Sequence, residues 1–341
     1  MTAPTDAAHF LAALHAAGER ACEATPVTRS FCIAGLVLRL HFADATLAAL
    51  LTPALAHLAL PEQTHADLEV MLWDGVRSGI AAPTPPWQAT AYGPRGEIQG
   101  YNTDELRIAF NADAGTLSVF HAAEQCGYWW VRDAAQLPLY ERGAPLLMLL
   151  HWWLATHDRQ LVHGGATGLP TGGVLLVGRG GSGKSTSVLA CLGSALRMAG
   201  DDYCVVRATP VPTVHSLYCS AKLNADSLAW LPHLADIVDN PLRPSGKKAL
   251  LLLGERPALL ITEMPLRAIV LPRIGTMTQL RPASPGAALR ALAPSTIFQL
   301  AGAGEAAMRT LASLVRQIPA YELELGRDLA RIPTVLSTLT T

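Results

Sequence analysis

At 341 residues, half of them hydrophobic and 16% charged, the chain can bury a sizeable core and has room for two domains, which excludes a disordered protein. The formal net charge of -1 leaves no basic excess, so neither nucleic acid nor an anionic membrane is expected as a partner. The six cysteines form no C-x-x-C pair and have no histidine cluster nearby, which argues against a disulfide framework and a structural zinc site.

The first predicted domain, residues 1–140, has the pattern of an α+β fold in which antiparallel strands dominate. Helices are expected at residues 8–22 and 45–58, the second one capped by Asp44 and stopped by Pro61. The strands that the apolar pattern predicts lie at residues 31–42, 68–73, 106–111, 116–121 and 127–132. No motif in this domain points to a reaction.

The amino-terminal residues do not have the pattern of a signal peptide. They are acidic rather than basic, and the apolar stretch that follows is interrupted by His15, Glu19 and Arg20. The longest apolar run, residues 145–155, is too short to span a bilayer. We therefore expect a cytoplasmic protein.

The second predicted domain, residues 141–341, begins with a buried helix at residues 146–156. The next expected elements are a strand at 174–177, a helix at 187–192 and a strand at 195–199. Three apolar segments, at residues 249–253, 258–262 and 268–271, are expected to extend the sheet. The last predicted elements are two helices within residues 285–318, an edge strand at 321–325 and a helix from about residue 328.

Residues 178–185 read Gly-Arg-Gly-Gly-Ser-Gly-Lys-Ser and match the P-loop pattern G-x-x-x-x-G-K-[ST] between the expected strand and helix. In this motif backbone N–H groups and the helix N-terminus surround phosphates, Lys184 reaches the β- and γ-phosphates, and Ser185 holds Mg²⁺. The residues expected to bind the nucleotide are Gly178, Arg179, Gly180, Gly181, Ser182, Gly183, Lys184, Ser185 and Thr186. A glycine-rich surface turn is the alternative.

Asp201 and Asp202 follow the strand after the P-loop helix, at the strand end where ligands gather in an open α/β sheet. Phosphoryl transfer needs a metal anchor and a group that accepts the proton of the attacking hydroxyl. Both carboxylates face one crevice only if the chain bends there, which Gly200 permits. We expect Asp201 to serve Mg²⁺ and Asp202 to be the general base; the reversed assignment and a simple turn remain open.

The residues around the P-loop distinguish among classes of nucleotide-binding protein. There is no N-K-x-D guanine-reading motif and no L-S-G-G-Q-like signature, which disfavours GTPases and transport ATPases. Instead, His163-Gly164, the P-loop, Asp201-Asp202 and Lys222 follow one another in an order that resembles the C-terminal domain of HPr kinase/phosphorylase. The resemblance covers residues 160–275, and the Ile-Pro-x-Tyr-x-Leu-x-x-Gly run within 317–332 is similar to the tail of related proteins.

The resemblance implies an α/β P-loop kinase domain of the HPr kinase and phosphoenolpyruvate carboxykinase type, preceded by the smaller α+β domain. It also implies that Asp202, Asp201, Lys184 and His163 act in catalysis and that Lys222 lies in the same active site. A structural histidine and a solvated lysine are the alternatives for His163 and Lys222.

Three further basic residues are candidate contacts to a phosphate or to the acceptor. Arg243, Lys247 and Lys248 lie in a segment with proline and glycine that is expected to fold over the γ-phosphate and neutralise developing charge. Solvated loop residues are the alternative.

The predicted function is an ATP- and Mg²⁺-dependent kinase that phosphorylates a hydroxyl, a serine of a peptide or protein, with the first domain helping to present the acceptor. No Arg-Gly-Leu-Gly-Ile signature follows Lys222, so neither phosphorylase activity nor HPr as acceptor follows from the resemblance. A small-molecule acceptor, a non-catalytic ATP-binding regulatory module, a carboxykinase-like lyase and GTP as donor are the alternatives. Homo-oligomers are frequent in the family, so a homo-oligomer is a candidate state for this protein.

Overall fold

The computed structural model describes residues 3–244 and 246–340, with side chains from residue 6 onward. Their contacts divide them into two compact units. Unit 1 comprises residues 3–52 and 59–157, and unit 2 comprises residues 53–58 and 158–340. Each unit is a mixed α/β structure built around a sheet.

Unit 1 begins with a long helix, and shorter helices lie among its strands. Its helices are α1 (Ala3–Cys22), α2 (Ala45–Leu51), α3 (Gly75–Ser78), α4 (Leu139–Gly143) and α5 (Leu147–Ala155). Its strands are β1 (Val27–Ile33), β2 (Leu36–Phe42), β3 (Ala59–Leu60), β4 (Leu68–Asp74), β5 (Leu106–Asn111), β6 (Thr116–His121) and β7 (Cys126–Val131). Single 3₁₀ turns lie at Ala89–Ala91 and Ala134–Gln136.

The described strands of unit 1 form a 7-stranded sheet in the order β3-β1-β2-β4-β7-β6-β5. Most neighbours are antiparallel, as predicted, but β4 pairs in parallel with both β2 and β7. Parallel neighbours need a crossover connection. The chain between β2 and β4 supplies one with α2, and the β5–β6 hairpin lies between β4 and β7.

Two boundaries in unit 1 differ from the prediction. The single strand expected at residues 31–42 is the hairpin β1–β2, because Ala34 and Gly35 take positive φ values of 51° and 81° and reverse the chain within an apolar run. Asp44 caps α2 as predicted, since its side chain accepts hydrogen bonds from two backbone N–H groups. However, α2 ends at Leu51 rather than at residue 58.

The segment Pro53–Leu58 is a 3₁₀ helix that belongs to unit 2. The backbone N–H of Cys219 donates to the carbonyl of Ala54 (2.8 Å), and Nε2 of His57 lies 2.6 Å from the Ser216 hydroxyl. A Cβ on Gly254 would lie 2.9 Å from the Cβ of Ala56, so the segment is closely packed. Pro53 lacks an N–H and cannot continue the hydrogen-bond pattern of α2, and the segment after it is held by these contacts within unit 2.

Unit 2 contains the P-loop segment, residues 178–185. Its further helices are α6 (Lys184–Ala190), α7 (Ala225–Ala229), α8 (Pro285–Ile297), α9 (Gly304–Gln317) and α10 (Arg331–Ser337), with 3₁₀ turns at Cys191–Gly193, Pro232–Ile237 and Pro257–Leu259. Its strands are β8 (Gln160–His163), β9 (Gly165–Leu169), β10 (Gly172–Leu176), β11 (Arg197–Gly200), β12 (Tyr203–Arg207), β13 (Thr213–Ser216), β14 (Ser220–Leu223), β15 (Ala249–Leu252), β16 (Glu263–Ile274), β17 (Gln279–Ala283) and β18 (Ala320–Leu325).

The long strand β16 organises the 9-stranded sheet of unit 2, as far as its residues are described. It pairs in parallel with β10 and β18 and antiparallel with β13, and the path β11-β9-β10-β16-β13-β12-β8 runs through it. Because β11 and β10 are both antiparallel to β9, the strands β11, β10, β16 and β18 point in the same direction. Their carboxyl ends therefore lie along one edge of the sheet.

Apolar side chains cover the sheet of unit 2. One cluster joins it to α6 and includes Val174, Val188 and Leu323, and a second joins it to α8 and α9 through residues such as Leu175, Leu292 and Leu311. Burial of these side chains stabilises the sheet whose edge carries the P-loop segment.

Three predictions about unit 2 were wrong. The strand at 320–325 is not an edge strand, because β18 lies between β16 and β17. The apolar segment at 249–253 does not extend the main sheet, since β15 pairs with β14 in a separate 2-stranded sheet. Residues 258–262 form no strand, and Pro257 begins a 3₁₀ turn there instead. Apolar composition alone could not specify these partners.

Candidate active site

The P-loop segment connects the end of β10 to the start of α6. Gly178, Gly181 and Gly183 have φ values of 145°, 78° and 101°, which residues with a side chain rarely adopt. Gly183 has a second constraint, because a Cβ there would collide with the side chain of Leu325. The conformation of this loop therefore depends on its glycines.

Lys184 is the first residue of α6 and is 7% exposed. Its Nζ donates hydrogen bonds to the carbonyls of Gly178 (2.7 Å) and Arg179 (3.2 Å). Burial lowers the pKa of Lys184, whereas the charges of Asp201 and Asp202 act to raise it. The ammonium group thus lies against the first peptides of the loop, beside two carboxylates.

The two carboxylates follow β11 at the edge where β10 ends. Gly200 pairs with Ala166, which in turn pairs with Leu175, so the residue before Asp201 lies in the same row as the end of β10. A Cβ at Gly200 would lie 2.8 Å from the carbonyl oxygen of Tyr203, and glycine therefore permits the tight bend between β11 and β12.

Asp201 is 1% exposed and turned into the protein. Its Oδ2 accepts a hydrogen bond from the backbone N–H of Lys222 (3.1 Å), while Oδ1 has no partner among the described residues. Burial raises the pKa of Asp201 to about 7, and the charge of Asp202 adds to this effect. The Lys222 N–H and the Ser185 hydroxyl act in the opposite direction.

Asp202 has a different environment, with 30% of its side chain exposed to a cavity. Its Oδ2 lies 2.8 Å from Nζ of Lys222, and its Oδ1 lies 3.9 Å from Nε2 of His163. Burial would raise the pKa of Asp202, but the charge and hydrogen bond of Lys222 outweigh it, and the pKa lies below its ordinary value. Asp202 is therefore ionised at neutral pH.

His163 is the last residue of β8, and β9 follows before β10 leads into the P-loop. Burial lowers its pKa to about 4, with a further contribution from the charge of Lys184. Its ring lies 5.4 Å from the ring of Tyr203, and its buried Nδ1 has no partner among the described residues. His163 is therefore neutral at pH 7, next to Asp202.

A cavity of about 1010 Å³ in unit 2 brings many of the predicted residues together. Those that line it are His163, Gly180, Gly181, Gly183, Lys184, Ser185, Thr186, Asp202, Lys222 and Lys248. Gly178, Arg179, Ser182, Asp201, Arg243 and Lys247 do not line it. Asp201 is buried behind the wall, where it bonds to the backbone of Lys222.

The segment expected to fold over the γ-phosphate contributes one of its three basic residues. Lys248, next to β15, lines the cavity and affects the pKa of His163, Lys184 and Asp202. Arg243 donates to the carbonyl of Asn240 (3.4 Å) and lies outside the cavity. Pairing of β15 with β14 carries Lys248, the residue before β15, to the same cavity as Lys222.

Sequence reasoning missed about half of the cavity wall. The residues it did not single out are Leu223, Asn224, Ser227, Trp230, Ile274, Gly275, Leu325, Gly326, Arg327 and Leu329. The Ile-Pro-x-Tyr run was a usable signal for Gly326, which ends it and follows β18. No pattern in the sequence marked Trp230.

The donor set fits Mg²⁺. Asp201 offers a buried carboxylate oxygen without a partner, and the Ser185 hydroxyl is close enough to this carboxylate to lower its pKa. No group of three or more His, Cys, Asp or Glu side chains that could hold a metal occurs in the described part of the chain. Mg²⁺ in phosphoryl-transfer sites takes one or two protein oxygens and completes its shell with phosphates and water.

Comparisons with known proteins find structural similarity at a low level. No protein-family model and no curated protein matches the chain. Among solved structures, the Hpr(Ser) kinase/phosphatase from Coxiella burnetii matches with 10% sequence identity and a TM-score of 0.29. The match covers 53% of this chain and 93% of that one.

No helix within residues 3–244 and 246–340 is both long and apolar enough to cross a membrane.

Proposed function

We propose that this protein is a phosphotransferase that moves the γ-phosphoryl group of ATP to a hydroxyl, a serine of a peptide or protein, with Mg²⁺ as cofactor. The observation that supports it best is the ionised Asp202 in one cavity with the P-loop lysine, Lys222 and Lys248. Binding of a nucleotide alone would not require a carboxylate held ionised at that position.

The proposed reaction assigns the proton of the acceptor to Asp202. The acceptor oxygen forms a bond to the γ-phosphorus, and the bond from that phosphorus to the bridging oxygen breaks, with its electron pair remaining on the β-phosphate of ADP. Asp202 takes the hydroxyl proton, while Lys184, Lys222 and Lys248 offset the negative charge of the phosphates. His163 is neutral and adjacent to Asp202, so it adds no positive charge beside the γ-phosphate.

Ser185 and Asp201 are the residues that would hold Mg²⁺, which when bound neutralises charge on the β- and γ-phosphates. The different environments of the two carboxylates support this assignment. Asp201 is buried next to Ser185 and has an unpartnered oxygen, which suits a metal ligand, whereas Asp202 faces the cavity.

The test is phosphoryl transfer by the full chain. The protein is incubated with labelled ATP and Mg²⁺, with serine-, threonine- and tyrosine-containing peptide libraries and with hydroxyl-bearing metabolites, and labelled products are separated. We expect a phosphopeptide, and loss of about 10²–10⁴ in kcat for Asp202→Asn. The matched control is Lys247→Gln, which removes a charge outside the cavity.

Two outcomes would contradict the proposal. Labelled product from metabolites alone would leave a kinase but replace its acceptor. Tight ATP binding without transfer to any acceptor, with hydrolysis equal in wild type and Lys184→Ala, would favour a non-catalytic nucleotide-binding module instead. The role of unit 1 in presenting the acceptor and a homo-oligomeric state both stay predictions.

A further inference from the structure

Trp230 differs from the other tryptophans of the chain. The six others, Trp73, Trp87, Trp129, Trp130, Trp152 and Trp153, are buried, whereas Trp230 exposes 64% of its surface. It directly follows α7 and lines the cavity that contains the P-loop. A large aromatic side chain exposed inside a concave site is typical of a residue that contacts a ligand.

The segment that carries Trp230 runs along the cavity from the proposed base toward α6. It starts at Lys222, whose ammonium contacts Asp202. Further along, Ser227 accepts a hydrogen bond from the hydroxyl of Thr186 (3.3 Å), so α7 contacts the first turn of α6. Trp230 lies three residues after Ser227 and hence on the same side of this helical segment. Trp230 is therefore on the side of this segment that contacts Thr186.

The P-loop gives the polyphosphate a direction. Its lysine reaches the β- and γ-phosphates, and its backbone N–H groups surround the α- and β-phosphates. If the γ-phosphate lies beside Asp202, the α-phosphate and the nucleoside extend away from it, and Trp230, on the segment that contacts Thr186, is an aromatic side chain of the cavity wall within this space.

Apolar side chains from a second part of the chain complete this end. A Cβ on Gly183 would meet the side chains of Leu325 and Ile274. Leu329, in the connection between β18 and α10, also lines the cavity. Leu329 and Leu228 pack against the same buried cluster, which brings the connection and α7 to one core. An indole and aliphatic side chains provide the flat apolar surface that a nucleobase needs.

We propose that Trp230 stacks on the nucleobase of the bound nucleotide and supplies binding energy that the phosphates do not. This inference rests on the proposed function, because it takes the P-loop to hold a nucleotide. An indole can stack on any nucleobase. Trp230 therefore contributes affinity for a nucleoside more than selection between adenine and guanine.

The test compares two ligands that share their phosphates but not the base. Binding of MgADP and of magnesium pyrophosphate to the full-length protein is measured by calorimetry for wild type, Trp230→Ala and Trp230→Phe. We expect Trp230→Ala to weaken MgADP about tenfold to a hundredfold, with pyrophosphate affinity unchanged, and Trp230→Phe to retain most of the affinity. Phe298→Ala, an exposed aromatic outside the cavity, is the matched control and should change neither ligand.

Equal losses for both ligands in Trp230→Ala would overturn the stacking role, because they would show a general disturbance of the P-loop. Unchanged MgADP affinity in Trp230→Ala would also overturn it, and a raised KM for the acceptor in the same variant would assign Trp230 to the other substrate. These results leave the proposed function intact. A wild-type protein that binds neither ligand contradicts both proposals.

Discussion

The Nζ atom of Lys222 lies 2.8 Å from Oδ2 of Asp202, and this ion pair keeps the cavity-facing carboxylate ionised. The backbone N–H of the same lysine donates to Asp201. One residue of β14 thus contacts both carboxylates in different ways, which lets its two contributions be separated by mutation.

Lys222→Gln removes the charge but keeps the N–H bond to Asp201. We expect the pKa of Asp202 to rise, because burial is then less opposed. A base works when deprotonated, so the acidic limb of the kcat–pH profile should move to higher pH. In addition, kcat at neutral pH should fall about tenfold, because Lys222 no longer offsets the charge of the phosphates. Lys222→Arg should keep the wild-type limb. An unshifted limb in Lys222→Gln would argue that Asp202 is not the group that titrates.

Gly183→Ala introduces a side chain at a φ of 101° and against Leu325. We expect this strain to destabilise the loop by about 1–2 kcal/mol and to reduce pyrophosphate affinity, measured by calorimetry. Gly193→Ala is the matched control, since nothing lies within 4 Å of the added carbon and its φ is not in the positive range. If both alanine variants bind alike, the glycine conformation is not needed.

Ser185→Ala deletes the hydroxyl that lies near the Asp201 carboxylate. We expect the apparent Mg²⁺ affinity in nucleotide binding to fall about tenfold or more, while nucleotide binding in EDTA stays unchanged. Titration of Mg²⁺ against bound ADP measures this. Ser194→Ala, which removes a hydroxyl bonded to the backbone of Cys191 and Leu196 and not lining the cavity, should titrate like wild type. A loss that persists in EDTA would point to the phosphate cradle rather than to the metal.

Glu324→Gln should lower stability in a pH-dependent way. The pKa of Glu324 is lowered to about 2 by the backbone N–H of Thr276, the side chain of Gln279 and the charge of Arg273. Because the folded pKa lies below the unfolded one, this stabilisation is present above about pH 4.5 and is lost as pH falls toward 2.

Urea unfolding at pH 7 and at decreasing pH checks the prediction for Glu324. The difference between wild type and Glu324→Gln should be largest at pH 7 and shrink below pH 4.5. Glu322→Gln serves as the control, because its half-exposed carboxylate makes a single 3.4 Å contact with Arg273. A constant difference at every pH would mean that packing, and not charge, is lost.

The sequence was informative where a local pattern determines local structure. The strand, loop and helix around residues 178–185, the bend after Gly200 and the strands β5 and β6 all follow from neighbouring residues. The hairpin at Ala34-Gly35 was missed, because its turn lies inside an unbroken apolar run.

The cavity shows the limit of this reasoning. Trp230, Ile274 and Leu329 come from segments far apart in the chain, and only the pairing of β16 with β10 and β18 brings two of these segments to the P-loop. Arg243 and Lys248 are basic residues five positions apart in one segment, and the sequence alone does not distinguish them. Strand β15 carries one of them into the site and leaves the other outside.

Pro53–Leu58 makes unit 2 a fold assembled from two separate stretches of chain. During synthesis Ala54 of this hexapeptide is made 165 residues before Cys219, which it contacts. The contact can form only after Cys219 has been synthesised. A fragment that starts at residue 158 would expose the surface around Ser216 and Gly254 that the hexapeptide covers. Such a fragment should behave as an incomplete domain that a peptide of residues 53–58, added in trans, restores.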